Sequence, residues 1–151
     1  MKKVLKVILA LGLVFIMAGC GSKAQTATFN YSSNGVDVKM VADAEGDTII
    51  KLTQTSTINT KNFNSSQIKQ LKKVVEESKD TYKNIKGITY KAEESGDKIV
   101  ETIIIPTDEE TLKTVISKGL LPVTGSSGEV TKLSLDKTKE SLQKAGWTLE
   151  E

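Results

Sequence analysis

In two regions of the sequence, segments of alternating apolar and polar side chains flank a Gly-Asp turn, and each region has its own turn. In the first, Val36, Val38 and Met40 alternate with polar residues, and a Thr- and Ile-rich stretch at 48–58 follows the turn at 44–47. Alternation with a period of two places the apolar side chains on one face of a strand. This stretch therefore predicts a β-hairpin with one buried face, which helices or a second sheet must cover.

The second hairpin is predicted from Ile88, Tyr90 and Ala92, followed by a turn at 95–97 and an apolar strand at 98–105. Glu45-Gly46-Asp47 of the first turn recurs as Ser95-Gly96-Asp97, 50 residues later, and each hairpin precedes a helical pattern. The recurrence indicates either a duplicated ββα unit or two separate uses of a favourable hairpin turn.

Capping residues mark the starts of three helices. Asn64 and Gln67 form a capping box that predicts a helix over 65–83. Thr107 and Glu110 predict a second capping box, which opens a helix with Gly119 just beyond its end.

The last helix is predicted to begin at Ser134 or Asp136 and to end near Ala145. Gly146 suits the left-handed position after the helix, and Trp147 then packs back onto the helix as part of the core. The expected fold is therefore α+β: an antiparallel sheet of four to six strands with about three helices packed on one face. Residues 28–151 are expected to form this single domain.

The amino-terminal segment has the layout of an export signal. Lys2, Lys3 and Lys6 precede an uncharged apolar run at 7–18, which is too short to span a bilayer. The run ends in Met17-Ala18-Gly19-Cys20, which resembles the bacterial lipobox, where the cysteine thiol receives a diacylglyceryl group and becomes the new amino terminus. We therefore predict a lipoprotein signal peptide at 1–19 and a lipidated amino terminus with a flexible tether at 20–27.

Composition excludes several classes of site. The chain has one cysteine, no histidine and no arginine among its 151 residues. Ser-His-Asp and Cys-His catalytic arrangements and histidine-based zinc sites are therefore excluded. Three of the 21 basic residues lie in the predicted signal, so the net charge of +2 does not persist in the mature chain. Without a basic surplus, no nucleic-acid partner is expected, and no metal or cofactor is predicted.

Glu101 is the acidic residue with two open interpretations. It interrupts the apolar strand at 98–105, between Val100 and Thr102. It either lies on the solvent face of a half-exposed sheet, or it lines a groove between the sheet and the helices.

The chain resembles a family of YehR-like bacterial lipoproteins. The resemblance rests on the lipobox, on the two Gly-Asp hairpin turns, on Thr81-Tyr-Lys-Asn-Ile-Lys-Gly-Ile88, and on the tail from Leu133 to Trp147. It implies an exported, lipid-anchored α+β domain from a family without an assigned function, and it carries over no catalytic residue, only Cys20 as the site of lipid attachment.

We expect a membrane-anchored extracytoplasmic lipoprotein, not an enzyme, that binds an envelope protein or a small ligand. A structural or stress-related accessory protein is the alternative. An envelope enzyme based on carboxylates, with Glu101 as its candidate, is a third interpretation.

Overall fold

The computed structural model describes residues 23–121 and 130–150. Its strands are β1 (Ala24–Ser33), β2 (Val36–Glu45), β3 (Thr48–Asn59), β4 (Thr89–Ser95), β5 (Lys98–Pro106), β6 (Leu133–Ser134) and β7 (Thr148–Glu150). Its helices are α1 (Ser65–Lys83), α2 (Glu109–Ser117) and α3 (Leu135–Lys144). All strands join one antiparallel sheet in the order β4-β5-β3-β2-β1-β7, with β6 paired to the start of β3. The α+β class is confirmed.

The prediction of four to six strands is wrong, because the described residues form seven. Strand β1 was missed although an Asn34-Gly35 turn joins it to β2. Both turn residues have positive φ, 51° and 78°, as a two-residue type I′ hairpin turn requires. Strands β6 and β7 have only two and three residues, so neither is long enough to show a period in the sequence.

The tether predicted for 20–27 also needs correction, because β1 begins at Ala24. The side chain of Thr26 donates to Asp43 on β2 at 2.9 Å, and the Gln25 amide donates to the Gly46 carbonyl at 3.0 Å. Ala27 is buried against the core. Small polar residues suggested a linker, but here cross-strand hydrogen bonds hold them in the sheet.

Local capping chemistry sets the ends of the helices. Helix α1 has the predicted bounds, and Asn64 and Gln67 form the predicted reciprocal capping box. Ser134 caps α3. At its other end, Gly146 has φ 88° and the Trp147 N–H donates to the Leu142 carbonyl at 2.9 Å, which is the expected Schellman motif.

The predicted start of α2 is wrong by one residue. Asp108, not Thr107, is the N-cap and accepts from the Thr111 N–H at 3.0 Å. The Thr107 hydroxyl is buried and donates to the Ile49 carbonyl at 2.5 Å, so it anchors the strand end instead of the helix. The predicted loop at 120–132 lies largely outside the described residues.

The buried side chains of the long strands share one face of the sheet. The register aligns Phe29 with Met40, Met40 with Gln54 and Gln54 with Ile103. Buried residues of all three helices belong to the same core, among them Val75, Leu112 and Leu142. The helices therefore cover this face, as predicted. No helix in residues 23–121 and 130–150 is long and apolar enough to cross a membrane.

The β2–β3 turn at Gly46–Asp47 is bonded to the start of α3. The Asp47 carboxylate accepts from the Ser134 hydroxyl at 2.6 Å and from the Asp136 N–H at 2.8 Å. The Asp47 carbonyl accepts from the Leu135 N–H at 2.8 Å. The β4–β5 turn at Gly96–Asp97 has nearly the same glycine φ, 57° against 58° for Gly46. The ββα order recurs, and the duplication stays a prediction.

The two turns supply a matched pair of variants. Asp47→Ala is expected to lower the free energy of unfolding by about 1.5–3 kcal/mol, because it removes a charged acceptor from two hydrogen bonds. Asp97→Ala, at the equivalent position of an exposed turn, is expected to change it by about 0.5 kcal/mol at most. Urea denaturation measures both. Equal losses in the two variants would show that the link between Asp47 and α3 contributes nothing to stability.

Candidate functional site

Of the two site residues predicted from sequence, Cys20 lies outside the described residues and Glu101 lies in β5. The Glu101 side chain is only 6% exposed and shares the core face with Ile99, Ile103 and Ile105. The solvent-face interpretation is therefore wrong, because the alternation in β5 places position 101 inward. The interpretation of Glu101 as a groove-lining group stays a prediction. Its carboxyl lies where the sheet meets α1, covered by Tyr90.

Glu101 belongs to a cluster of polar and aromatic side chains on the core face of the sheet and on α1. We call these residues the Glu101 cluster: Gln54, Ser56, Tyr82, Tyr90 and Glu101. Ser56 on β3 lies directly opposite Glu101, and Tyr90 on β4 lies diagonally across from it. The Gln54 amide donates to the Ser56 hydroxyl at 3.3 Å. Tyr82 of α1 stacks on Tyr90 with ring centroids 5.8 Å apart and an interplanar angle of 8°.

The Tyr90 hydroxyl has two oxygen partners but only one proton. It lies 3.1 Å from the Val75 carbonyl of α1, and it also contacts Oε1 of Glu101. A backbone carbonyl can only accept, so the tyrosine must donate its proton there if that bond is made. The contact with Glu101 is then a hydrogen bond only if the carboxyl is protonated and donates to the tyrosine oxygen. The shorter contact is the one with Glu101, and Tyr90 can also make it by donating to an ionised carboxylate, so the geometry fits Glu101 in either protonation state.

Burial favours the neutral form of Glu101. Removal from water raises the pKa of Glu101 above its ordinary value, although the hydrogen bond with Tyr90 acts in the opposite direction. Burial, followed by the negative charge on Glu101, raises the pKa of Tyr82 to about 12, and the pKa of Tyr90 is also raised, chiefly by burial. These shifts describe a site that disfavours negative charge, so the cluster is most stable when its members are uncharged.

The chemical role that this geometry supports is positioning of α1. A chain of hydrogen bonds runs from Glu101 through Tyr90 to the backbone of α1 and fixes where the helix docks on β4 and β5. No buried side-chain nitrogen or oxygen in the described residues lacks a hydrogen-bond partner. Residues 23–121 and 130–150 contain no group of three or more acidic, cysteine or histidine side chains placed to hold a metal ion.

Glu101→Gln tests the protonation of this cluster. Because burial raises the pKa of Glu101 in the folded protein, its stabilising contribution is complete below its unfolded pKa and is lost as pH rises through the folded pKa. The glutamine amide can donate to Tyr90 as the protonated acid does, but it does not titrate. We therefore expect the unfolding free energy of the wild type to fall relative to the variant as pH rises. Denaturation curves between about pH 5 and pH 9 measure the difference.

Tyr90→Phe is the companion variant. It removes the hydroxyl that links Glu101 to α1 and should destabilise the fold by about 1–3 kcal/mol, since buried polar groups lose their partner. If the wild type and Glu101→Gln have parallel pH profiles, Glu101 has the same charge in the folded and unfolded states over this range, so it is already ionised in the folded protein and its pKa is not raised by burial.

Two relatives that match this sequence are named as uncharacterised lipoproteins. Over 150 residues the chain is 27% identical to Uncharacterized lipoprotein Lin0239 of Listeria innocua, which covers 97% of this chain and 95% of the relative. Over 89 residues it is 28% identical to Uncharacterized lipoprotein YehR of Escherichia coli, covering 59% of this chain and 58% of the relative.

The NMR structure of E. coli YehR has the same fold, with a TM-score of 0.65 at 17% identity, covering 86% of this chain and 93% of that chain. The resemblance to YehR-like lipoproteins is therefore confirmed. A family model described as "Protein of unknown function (DUF1307)" matches residues 25–148, which span the described strands and helices except for the first residue of β1 and the last two residues of β7. The chain belongs to the DUF1307 family.

Proposed function

We propose that this protein is an exported lipoprotein, anchored by a diacylglyceryl group on Cys20 to the extracytoplasmic face of a bacterial membrane. The membrane is the cell membrane, or the outer membrane if the host has one. The observation that carries the proposal is the lipobox Met17-Ala18-Gly19-Cys20 immediately before the first strand at Ala24. The match to a relative named a lipoprotein along 95% of its length supports it.

Such an anchor would hold the domain stably on a bilayer. Each methylene buried in the bilayer contributes roughly 0.8 kcal/mol to the free energy of membrane binding. One acyl chain therefore gives marginal attachment, whereas two chains, such as two palmitoyl groups, give stable attachment. The use of the sole cysteine for a thioether would also explain why no second cysteine accompanies it in the sequence.

We further propose that the anchored domain is a binding or interaction module rather than an enzyme. The acid that sequence alone made the best catalytic candidate, Glu101, is covered by the core and bonded to Tyr90. A substrate cannot reach a carboxyl in that position without displacing α1. The proposed partner is an envelope component outside the membrane, where the lipid would hold the domain.

Cys20→Ser tests the anchor. In bacteria grown with an alkyne analogue of palmitate, the wild-type protein is expected to incorporate the label and enter the detergent phase of a two-phase extraction. Its mass should show the loss of residues 1–19 and the gain of lipid. The variant should do none of these, because a serine hydroxyl does not replace the thiol as lipid acceptor.

Ser22→Ala is the matched control, since it changes a neighbouring hydroxyl and leaves the lipobox intact. It should be labelled as the wild type is. Label of equal intensity on the wild type and on Cys20→Ser would refute the proposed attachment site.

Thermal unfolding with soluble peptidoglycan fragments tests the binding role. A fragment present at about 100 times its Kd should stabilise the lipidated protein by about 2.7 kcal/mol, because it binds only the folded state. The measurement is the midpoint of unfolding in detergent micelles with and without each fragment. If no fragment raises the midpoint, the proposed envelope partner is not this polymer and the structural accessory role gains support.

A further inference from the structure

The chain between the lipid attachment point and the folded domain is very short. Three residues, Gly21 to Lys23, separate Cys20 from the start of β1 at Ala24. An extended chain spans at most about 3.6 Å per residue, so Cys20 cannot lie more than roughly 14 Å from the first residue of the strand. Acyl chains on Cys20 would therefore hold that part of the domain at the bilayer surface.

This attachment point is held firmly in the fold. The Lys23 carbonyl accepts from the Gly46 N–H at 2.9 Å, and Gln25 donates to the Gly46 carbonyl. Asp47, the next residue of the turn, is bonded to Ser134 and to the start of α3. The tether therefore enters the domain beside the Gly46–Asp47 turn, which is hydrogen-bonded to the start of β1, to Ser134 and to the start of α3.

The same end of the sheet exposes an apolar side chain. In the β2–β3 register Ala44 pairs with Ile49 and Asp43 with Lys51, so Ile50 is the extra residue of a β-bulge. A bulge redirects a side chain, and Ile50 is the exposed large hydrophobic residue of the described segments, with 46% of its surface accessible. We call this end of the sheet, made by Lys23, Glu45, Gly46, Asp47 and Ile50, the tether end.

The opposite end of the sheet is defined by the β1–β2 turn, the end of β3 and the β4–β5 turn, which lie together. The Asn59 N–H donates to the Gly35 carbonyl at 2.9 Å, and the Thr60 N–H donates to the Asp97 carbonyl at 2.8 Å. We call this group, comprising Asn34, Gly35, Asn59, Gly96 and Asp97, the distal end. Strand β3 runs the whole distance between the two ends, about 35–40 Å for its 12 residues at the usual rise.

We propose that the tether end is a membrane-contacting surface, that Ile50 enters the lipid headgroup region, and that the domain stands end-on with its distal end away from the bilayer. This inference rests on the proposed lipidation of Cys20. The short tether supplies the proximity, the fixed turn supplies the orientation, and the bulged isoleucine supplies an apolar contact that a lipid surface can bury. Any partner would then reach the domain from the side or from the distal end.

Glu45→Cys and Ser95→Cys form a matched pair of probe sites. Each residue is exposed and immediately precedes the glycine of a Gly-Asp turn, one at the tether end and one at the distal end. The full-length protein, processed and lipidated in bacteria, is labelled at the new thiol with a fluorophore and reconstituted in phosphatidylcholine vesicles. Some vesicles contain a lipid with a nitroxide on its headgroup, which quenches only fluorophores close to the membrane surface.

We expect the probe at position 45 to lose most of its emission in nitroxide vesicles and the probe at position 95 to retain it. Equal quenching at the two positions, as in a domain lying flat, or stronger quenching at position 95, would overturn the end-on arrangement. Absence of quenching at both positions would overturn it as well.

The labelling stoichiometry separates this inference from the anchor on which it rests. A lipidated Cys20 has no free thiol, so each variant should take up one fluorophore per chain. Two fluorophores per chain would refute lipidation itself, whereas one fluorophore with equal quenching would refute only the orientation.

An Ile50→Asp variant tests the apolar contact. Placed in the Glu45→Cys protein, it should reduce quenching at position 45, because a charged side chain is expelled from the headgroup region. Unchanged quenching would remove Ile50 from the contact.

Discussion

Hydrogen bonds at the Gly46–Asp47 turn hold three distant parts of the chain at one end of the sheet. The Gly46 N–H donates to the Lys23 carbonyl, the Gly46 carbonyl accepts from the Gln25 side-chain amide, and the Asp47 carboxylate accepts from the hydroxyl of Ser134, the cap residue of α3. The turn lies where the β1–β2 ladder ends, with Ala24 opposite Glu45, whereas β7 covers only Thr28 to Asn30 of β1. The turn therefore sets how the first strand, the central hairpin and the last helix meet, and it also sets where a tether from Cys20 enters the domain.

The Glu101 cluster has the corresponding role on the other side of the fold. Helix α1 lies over β4 and β5, and its buried stripe contributes Val75 and Tyr82 to the core. An apolar stripe alone would allow the helix to slide along the sheet, whereas the bond from Tyr90 to the Val75 carbonyl specifies one position. A buried polar group is costly when it loses a partner, so the cluster disfavours packings that leave Tyr90 or Glu101 without a hydrogen-bond partner.

The parts of the fold that sequence predicts correctly are those that depend on neighbouring residues. The capping box at Asn64 and the Schellman motif at Gly146 involve partners within five residues, and both have the predicted geometry. The missed strand β1 had an equally local signal, the Asn34-Gly35 turn between alternating residues. The small polar residues before it suggested a tether instead.

The site was less accessible from sequence because its contacts are distant along the chain. Glu101 lies two residues from Ile99 and two from Ile103, so it shares their face of the strand, and this spacing was the available signal against a solvent-facing side chain. Its hydroxyl partner, Tyr90, lies on another strand, and the register that makes them diagonal neighbours follows from the β4–β5 hairpin. The bond from Ser134 to Asp47 spans 87 residues, and no local pattern encodes it.

Membership of the DUF1307 family and the named lipoprotein relatives agree with an anchored domain, and the orientation of that domain on the bilayer can be measured. Neutron reflectometry of the lipidated protein on a supported bilayer measures the thickness of the protein layer directly. An end-on domain predicts a layer of about 35–40 Å, the length of β3. A layer of about 20 Å, the thickness of one sheet plus one layer of helices, would show that the domain lies flat and would contradict the account.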